Sequence, residues 1–235
     1  MTDTINPKRT AAQAAMSYVR SGMVLGLGTG STTQYFVDLL GTALQNGQFT
    51  DICGVPTSQA TAHQASMLGI PLVSLSTHPS LDLAVDGADE VDPNCNLIKG
   101  LGKALLREKM VELHAKQFVV IVDASKLVVQ LGEKCPLPVE IVPFEYAATL
   151  RFLQQHCERV EFWTQADGTP AVTDNGNYLA KMYWQGGIDN PHKLARTLTA
   201  FPGVVEHGLF LQMADVVLVA TSQGVQTIQA NRSPA

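Results

Sequence analysis

Residues 118–122, FVVIV, and 216–220, VVLVA, are unbroken apolar runs. A strand with one wet face alternates apolar and polar residues, so such runs belong to strands covered on both faces, as in the parallel sheets of α/β proteins. Other strand-like segments precede them: Met23 to Leu27, "DICGVPTS" from Asp51, "PLVSL" from Pro71 and "LDLAVDG" from Leu81. Helical segments lie between. Tyr35, Phe36, Leu39 and Leu40 have helical spacing closed by Gly41, and "QATAHQASMLG" and "KALLREKMVELHA", the latter from Lys103, read as helices. Residues 10–20 read as a short amphipathic helix ended by Gly22. This alternation predicts a doubly wound, mostly parallel, Rossmann-like α/β unit.

Beyond "PLPVE" the rhythm changes. Strand (Val139 to Val142), helix (Phe144 to Cys157), strand (Val160 to Thr164), strand (Tyr178 to Trp184), helix (Pro191 to Ala200) and strand (Val204 to Phe210) follow in turn. That order, βαββαβ, matches the ferredoxin-like split motif. Asn190 before Pro191 suits a helix start, because the asparagine accepts free amide hydrogens and proline loses nothing at the first turn. "ADVVLVAT" then returns to the buried type of strand. The expected organisation is an α/β domain of residues 1–135 and 208–235, with a smaller ferredoxin-like α+β domain, residues 136–207, inserted near the C-terminus.

Composition narrows the function classes. Hydrophobic residues make up 46% and charged residues 16%, ample for a buried core. The formal net charge is -5, so no broad basic field exists to hold a nucleic-acid backbone. No apolar run approaches the ~18 residues of a membrane helix. The opening "MTDTINPKRTAAQAAMSYVR" spreads charges among alanines, unlike a secretory signal. Cys53, Cys95, Cys135 and Cys157 lie far apart, with no C-x-x-C pair and no histidine at zinc-ligand spacing. Free thiols in the cytoplasm are expected, with neither nucleic acid nor membrane as partner.

"LGLGTGSTT" brings glycines and then hydroxyls to a strand end where a helix begins, so unpaired amides and the helix dipole converge there. Such a spot suits a phosphate. The dinucleotide pattern would need glycine where Ser31 stands, the P-loop needs an absent Gly-Lys pair, and "DICGVPTS" ends on no acidic residue for a ribose. The alternative is that Ser31 or Thr32 merely caps the helix.

"VDGADEVDPNCNLIKG" gathers Asp86, Asp89, Glu90 and Asp92 at another strand end and closes on Lys99. Ligands of open parallel sheets sit beyond the carboxyl ends of strands, so this loop and Thr29 to Thr32 are expected at one edge. A magnesium or calcium site would be opposed by the Lys99 ammonium and lacks calcium-loop spacing. Glu90 and Asp92 read as an ordinary solvated turn, Asp86 and Asp89 as functional carboxylates. Lys99 is followed by Gly100 and Gly102, which permit close backbone approach, and a lysine stabilises developing negative charge. Glu108 falls about one and a half turns into a helix starting near Lys103, with Leu105, Leu106, Met110 and Val111 on its apolar surface. Three carboxylates and a lysine beside a phosphate pocket suit proton transfer on a small phosphorylated carbonyl compound through an enediolate. Neither metal nor cofactor is required.

"GLGTGST", "VDGADE", "IKGLGKALLREK", "VDASK", "PLPVE" and "VTDNGN" occur here in an order by which the sequence resembles the type A ribose-5-phosphate isomerases over nearly its whole length. The resemblance implies interconversion of ribose 5-phosphate and ribulose 5-phosphate in the pentose phosphate pathway, without metal, by a dimer or tetramer. It implies that Glu108 shuttles the proton, that Asp86 and Asp89 bind hydroxyls and assist ring opening, and that Lys99 stabilises the oxyanion. Thr29, Gly30, Ser31, Thr32, Gly87, Ala88, Gly100, Leu101, Gly102 and Lys126 would line the substrate site, with Lys8 a further candidate for the phosphate. The family usually carries three glycines and then a small residue after the lysine, where this chain has Leu101 and Lys103. A leucine is accommodated there at negative φ and strained at positive φ. An amino-sugar phosphate deaminase, the nearest rival, would be expected to bring a catalytic histidine, and none of the six histidines lies in these motifs.

Overall fold

The structure, a computed structural model, describes residues 6–230. Its elements open with α1 (Pro7–Ala15), β1 (Val24–Leu27), α2 (Thr33–Gln45), β2 (Cys53–Pro56), α3 (Gln59–Met67) and β3 (Leu83–Asp86). Two short strands, β4 (Glu90–Val91) and β5 (Leu97–Ile98), precede α4 (Leu105–Leu113) and β6 (Phe118–Asp123). Next come β7 (Leu137–Ile141), α5 (Tyr146–Gln154), β8 (Arg159–Phe162), β9 (Tyr178–Tyr183), α6 (Pro191–Thr199) and β10 (Val204–His207). β11 (Leu209–Phe210), β12 (Val216–Thr221) and β13 (Gly224–Gln229) complete the chain.

Two compact units divide these elements. The first takes the chain up to Ala88, Arg107–Lys126, and the part from Gln212 onward. Its sheet has the order β13-β12-β6-β3-β1-β2, parallel throughout except for the β12–β13 hairpin. On one face Leu25, Leu27, Leu83, Val85, Val119 and Ile121 pack with α1 and α2 through Ala11, Ala15, Phe36 and Leu40. On the other, Val111 of α4 joins Val55 and Leu81 and approaches Gly26. Both faces are covered, which is why the strands read as unbroken apolar runs. The strand order reverses between β1 and β3, the topological switch point where such sheets bind ligands.

The second unit comprises Asp89–Leu106 and Leu127–Leu211. Its antiparallel sheet has the order β10-β7-β9-β8, as a ferredoxin-like βαββαβ motif requires. Leu137, Val139, Ile141, Ala180 and Met182 pack against Leu153 of α5 and Leu194 and Leu198 of α6. A three-stranded ribbon, β11-β5-β4, belongs to the same unit.

Several boundaries differ from expectation for identifiable reasons. α1 begins at Pro7, not residue 10, because Asn6 accepts the amides of Lys8 and Arg9. It is the Asn–Pro start that α6 also uses. "PLVSL" forms no strand, only a bridge between Leu72 and Gly54: Pro71 has no N–H to give, and Ser74 already turns the chain. α4 starts at Leu105 because Lys103 has φ +66, outside the helical region, so Glu108 lies in the first turn. Met110 is half exposed instead of joining the apolar surface. The expected strand from Val204 to Phe210 breaks at Gly208, which donates its N–H to Pro138 O and accepts that of Lys99, and where a β-carbon would collide with Lys99 O. Among the described residues, no helix is long and apolar enough to cross a membrane.

Candidate active site

In the first unit the chain leaving β1 turns across the end of β3. Gly28 donates its N–H to Val85 O at 3.1 Å. The Asp86 side chain lies so close that a β-carbon on Gly28 would sit 2.1 Å from its Cγ, so only glycine fits. Gly30 has φ +130, a backbone state that side chains disfavour. Asp86 is 1% exposed. Its Oδ1 accepts the Thr29 N–H at 3.0 Å, the Thr33 hydroxyl at 3.0 Å and the Gly87 N–H at 2.6 Å. Three donors on one oxygen fix the direction of the carboxylate.

A cluster of hydroxyls that sequence reasoning does not single out lies behind this loop. Thr29 Oγ1 is 2.6 Å from Thr57 Oγ1, 2.8 Å from Ser58 Oγ and 3.2 Å from Thr61 Oγ1, and Thr61 donates to Gly28 O at 2.9 Å. Thr57, Ser58 and Thr61 are buried. One signal is present in the sequence: Ser58 stands before a helical pattern and caps α3, accepting the Thr61 N–H at 3.0 Å.

At the neighbouring strand ends the site is cationic. Lys8 Nζ donates to Ser31 Oγ at 2.8 Å, and Thr32, the N-cap of α2, makes no side-chain cap bond. Asp123, ending β6, accepts both the amide and the hydroxyl of Ser125. Burial pushes its pKa up, yet those donors and the charges of Lys126 and Lys8 together hold it below the ordinary carboxylate value. Lys8, bonded to Ser31 ahead of α2, and Lys126, whose charge with that of Lys8 acts on Asp123, are suited to an anion. Glu108, 2% exposed, sits in the first turn of α4, where the helix dipole favours a carboxylate.

In the second unit Asp89 donates its N–H to Ile98 O at 2.8 Å and accepts the Leu101 N–H on Oδ2 at 3.0 Å. Lys99, 2% exposed, is fixed through its N–H to Gly208 O, with Nζ 5.4 Å from the Phe210 ring centroid. Gly100 takes φ +105, Leu101 stays out of the left-handed region, and Lys103 at φ +66 closes the turn onto Gly100 O. The unusual leucine is therefore unstrained, and the backbone strain falls on Lys103, whose Nζ is 5.8 Å from the Trp163 ring centroid.

Glu90 is not in a solvated turn. It is fully buried and accepts the N–H groups of Gly132 at 2.5 Å, Lys134 at 2.6 Å and Cys135 at 2.7 Å. Asp92 does hold a turn, through the amides of Asn94 and Asn96. Of the expected site residues, Thr29, Asp86 and Gly87 meet directly in the first unit, which also holds Gly30, Ser31, Thr32, Ala88, Glu108 and Lys126. Asp89 meets Leu101 in the second, which holds Lys99, Gly100 and Gly102. Among the described residues, no three His, Cys, Asp or Glu side chains converge as metal ligands would.

Residues 53–224 match the family model of ribose 5-phosphate isomerase A (phosphoriboisomerase A). The chain belongs to the ribose 5-phosphate isomerase A family. It is 48% identical over 227 residues to the probable ribose-5-phosphate isomerase 3, chloroplastic, of Arabidopsis thaliana, covering 94% of this chain and 82% of that one. With ribose-5-phosphate isomerase A of Roseiflexus castenholzii the identity is 47%, over 94% of each chain. Among solved structures, a D-ribose-5-phosphate isomerase in complex with phospho-erythronic acid superposes with a TM-score of 0.92 at 42% identity, covering 96% of this chain and 100% of that one. The isomerase of Methanocaldococcus jannaschii gives 0.89 at 40% identity, over 95% and 98%. Family membership thus extends through both units.

Proposed function

We propose that this protein interconverts D-ribose 5-phosphate and D-ribulose 5-phosphate by moving one proton between the sugar's first two carbons through an enediolate. Glu108 removes the carbon-bound proton of the open-chain aldose and returns it to the adjacent carbon. Asp86 and Asp89 bind hydroxyls and assist ring opening, and Lys99 holds the transient oxyanion. The phosphate lies with Ser31, Thr32, Lys126 and Lys8. A positioned base contributes about a hundredfold to ten-thousandfold, and preorganised charge a comparable factor, so the reaction needs neither metal nor cofactor.

The observation that carries this reading is Asp86: a buried carboxylate held by three donors at the switch point of the sheet, next to a loop where Lys8 meets Ser31. The phospho-erythronic acid held by the solved relative supports the same ligand class. For its setting we propose the non-oxidative pentose phosphate branch, in a reducing cytoplasm suited to four free thiols, and a homodimer or homotetramer that light scattering would size.

Purified protein is expected to convert ribose 5-phosphate to the ketose with EDTA present. Glu108→Gln should lower turnover at least about a hundredfold while ribose 5-phosphate binding stays within about threefold. Full turnover in that variant would remove Glu108 from the role of base.

A further inference from the structure

The hydroxyls of Thr57, Thr29, Ser58 and Thr61 can be ordered so that each proton is used once. Thr29 donates to Ser58 (2.8 Å), Ser58 to Thr61 (3.0 Å) and Thr61 to the Gly28 carbonyl (2.9 Å), which leaves Thr57 as the donor to Thr29 (2.6 Å), its hydroxyl lying also 3.1 Å from the Leu27 carbonyl. Such a one-way chain is mutually polarising, each donor strengthened by the bond it accepts. Its last acceptor matters most. Gly28 C=O and Thr29 N–H belong to the same peptide plane, and in a trans peptide they point in opposite directions. Thr61 grips one edge of that plane at 2.9 Å, and Asp86 Oδ1 takes the other at 3.0 Å. The plane cannot rotate without breaking both bonds. Gly28, which has no side chain, lets Asp86 lie against this backbone.

We infer that Thr57, Ser58 and Thr61, acting with Thr29, are positioning residues for the isomerisation: through the Gly28–Thr29 peptide they fix the direction in which Asp86 presents its carboxylate to the sugar. They act through Asp86 and need not touch substrate. The inference rests on the reading of Asp86 as a substrate-binding carboxylate.

The test is kinetic, on the full chain with ribose 5-phosphate. Thr61→Val keeps the shape and removes the donor; Thr61→Ser keeps the donor. The valine variant should lose about ten- to a hundredfold in kcat/KM, in line with the sensitivity of catalysis to small misplacements, and the serine variant should recover to within about threefold of wild type. In an Asp86→Asn background the same valine change should cost less than about threefold, because the group it positions is already altered. Wild-type kinetics in Thr61→Val, or an equal loss in both backgrounds, would overturn the inference. If Thr61→Val does not fold, Thr57→Val, which removes the first donor of the chain and with it the contact to the Leu27 carbonyl, is compared with Thr57→Ser, which keeps both, in the same two backgrounds. Wild-type protein with no isomerase activity would instead defeat the functional reading itself, so the two failures are distinguishable.

Discussion

A methyl group at position 28 would occupy the space of the Asp86 carboxyl, and at that distance the carboxylate must swing away. Gly28→Ala is therefore expected to cost at least about a hundredfold in kcat/KM, a larger loss than cutting any one hydroxyl behind the loop. Steady-state kinetics with ribose 5-phosphate checks it, and activity within about threefold of wild type would show that Asp86 has a second workable orientation. The glycines and hydroxyls of "GTGST" are readable in sequence because that composition suits an anion, whereas the service of Gly28 to Asp86 is not, since 57 residues separate Thr29 from the carboxylate it binds. The same holds for Thr57 and Thr61. Hydroxyl residues after a strand read as turn formers, and nothing in their spacing shows that they meet Thr29.

Among the elements, the long apolar strands and the βαββαβ order are legible because burial on both faces, or packing on one, leaves a periodic trace. β4 and β5 leave none. Two residues each are too few for any period, and their pairing with each other and β11 is a tertiary event. Glu90 reads wrongly as a solvated residue for the same reason: its partners are backbone amides at least 42 residues away, invisible to local reasoning. A buried carboxylate accepting three amides makes a rigid clamp between β4 and the loop before β7. Glu90→Ala should leave those amides without their acceptor and destabilise the protein by about 2–4 kcal/mol. Hydrogen exchange should report the loss locally, as faster exchange at Gly132, Lys134 and Cys135. Unchanged protection there would mean that water or another group replaces the carboxylate at little cost. The start of α4 teaches a related lesson. A helical spacing beginning at Lys103 gives no warning that the backbone there takes a left-handed conformation.

For the molecule as a whole, acid is the condition to which these carboxylates respond. Asp82 is held below its usual 3.8 chiefly by the hydrogen bond from Lys116, and Asp123, against the upward push of burial, by Ser125, Lys126 and Lys8. A depressed folded-state pKa adds stability that is complete above the unfolded value, roughly 3.9, and is lost as the pH falls through the folded one. Melting temperature should thus be insensitive to these groups above about pH 5 and fall below about pH 4, with a shallower fall in Asp123→Asn. An identical slope in that variant would count against Asp123 as a contributor. The Asp82–Lys116 pair is largely exposed, so added salt should weaken its share. The chain of four alcohols behind Asp86 is indifferent to all of this, because aliphatic O–H groups neither gain nor lose a proton across the range in which proteins stay folded. A scaffold made of salt bridges would loosen whenever one partner titrated. One made of threonine and serine keeps the same orientation in mild acid and mild base.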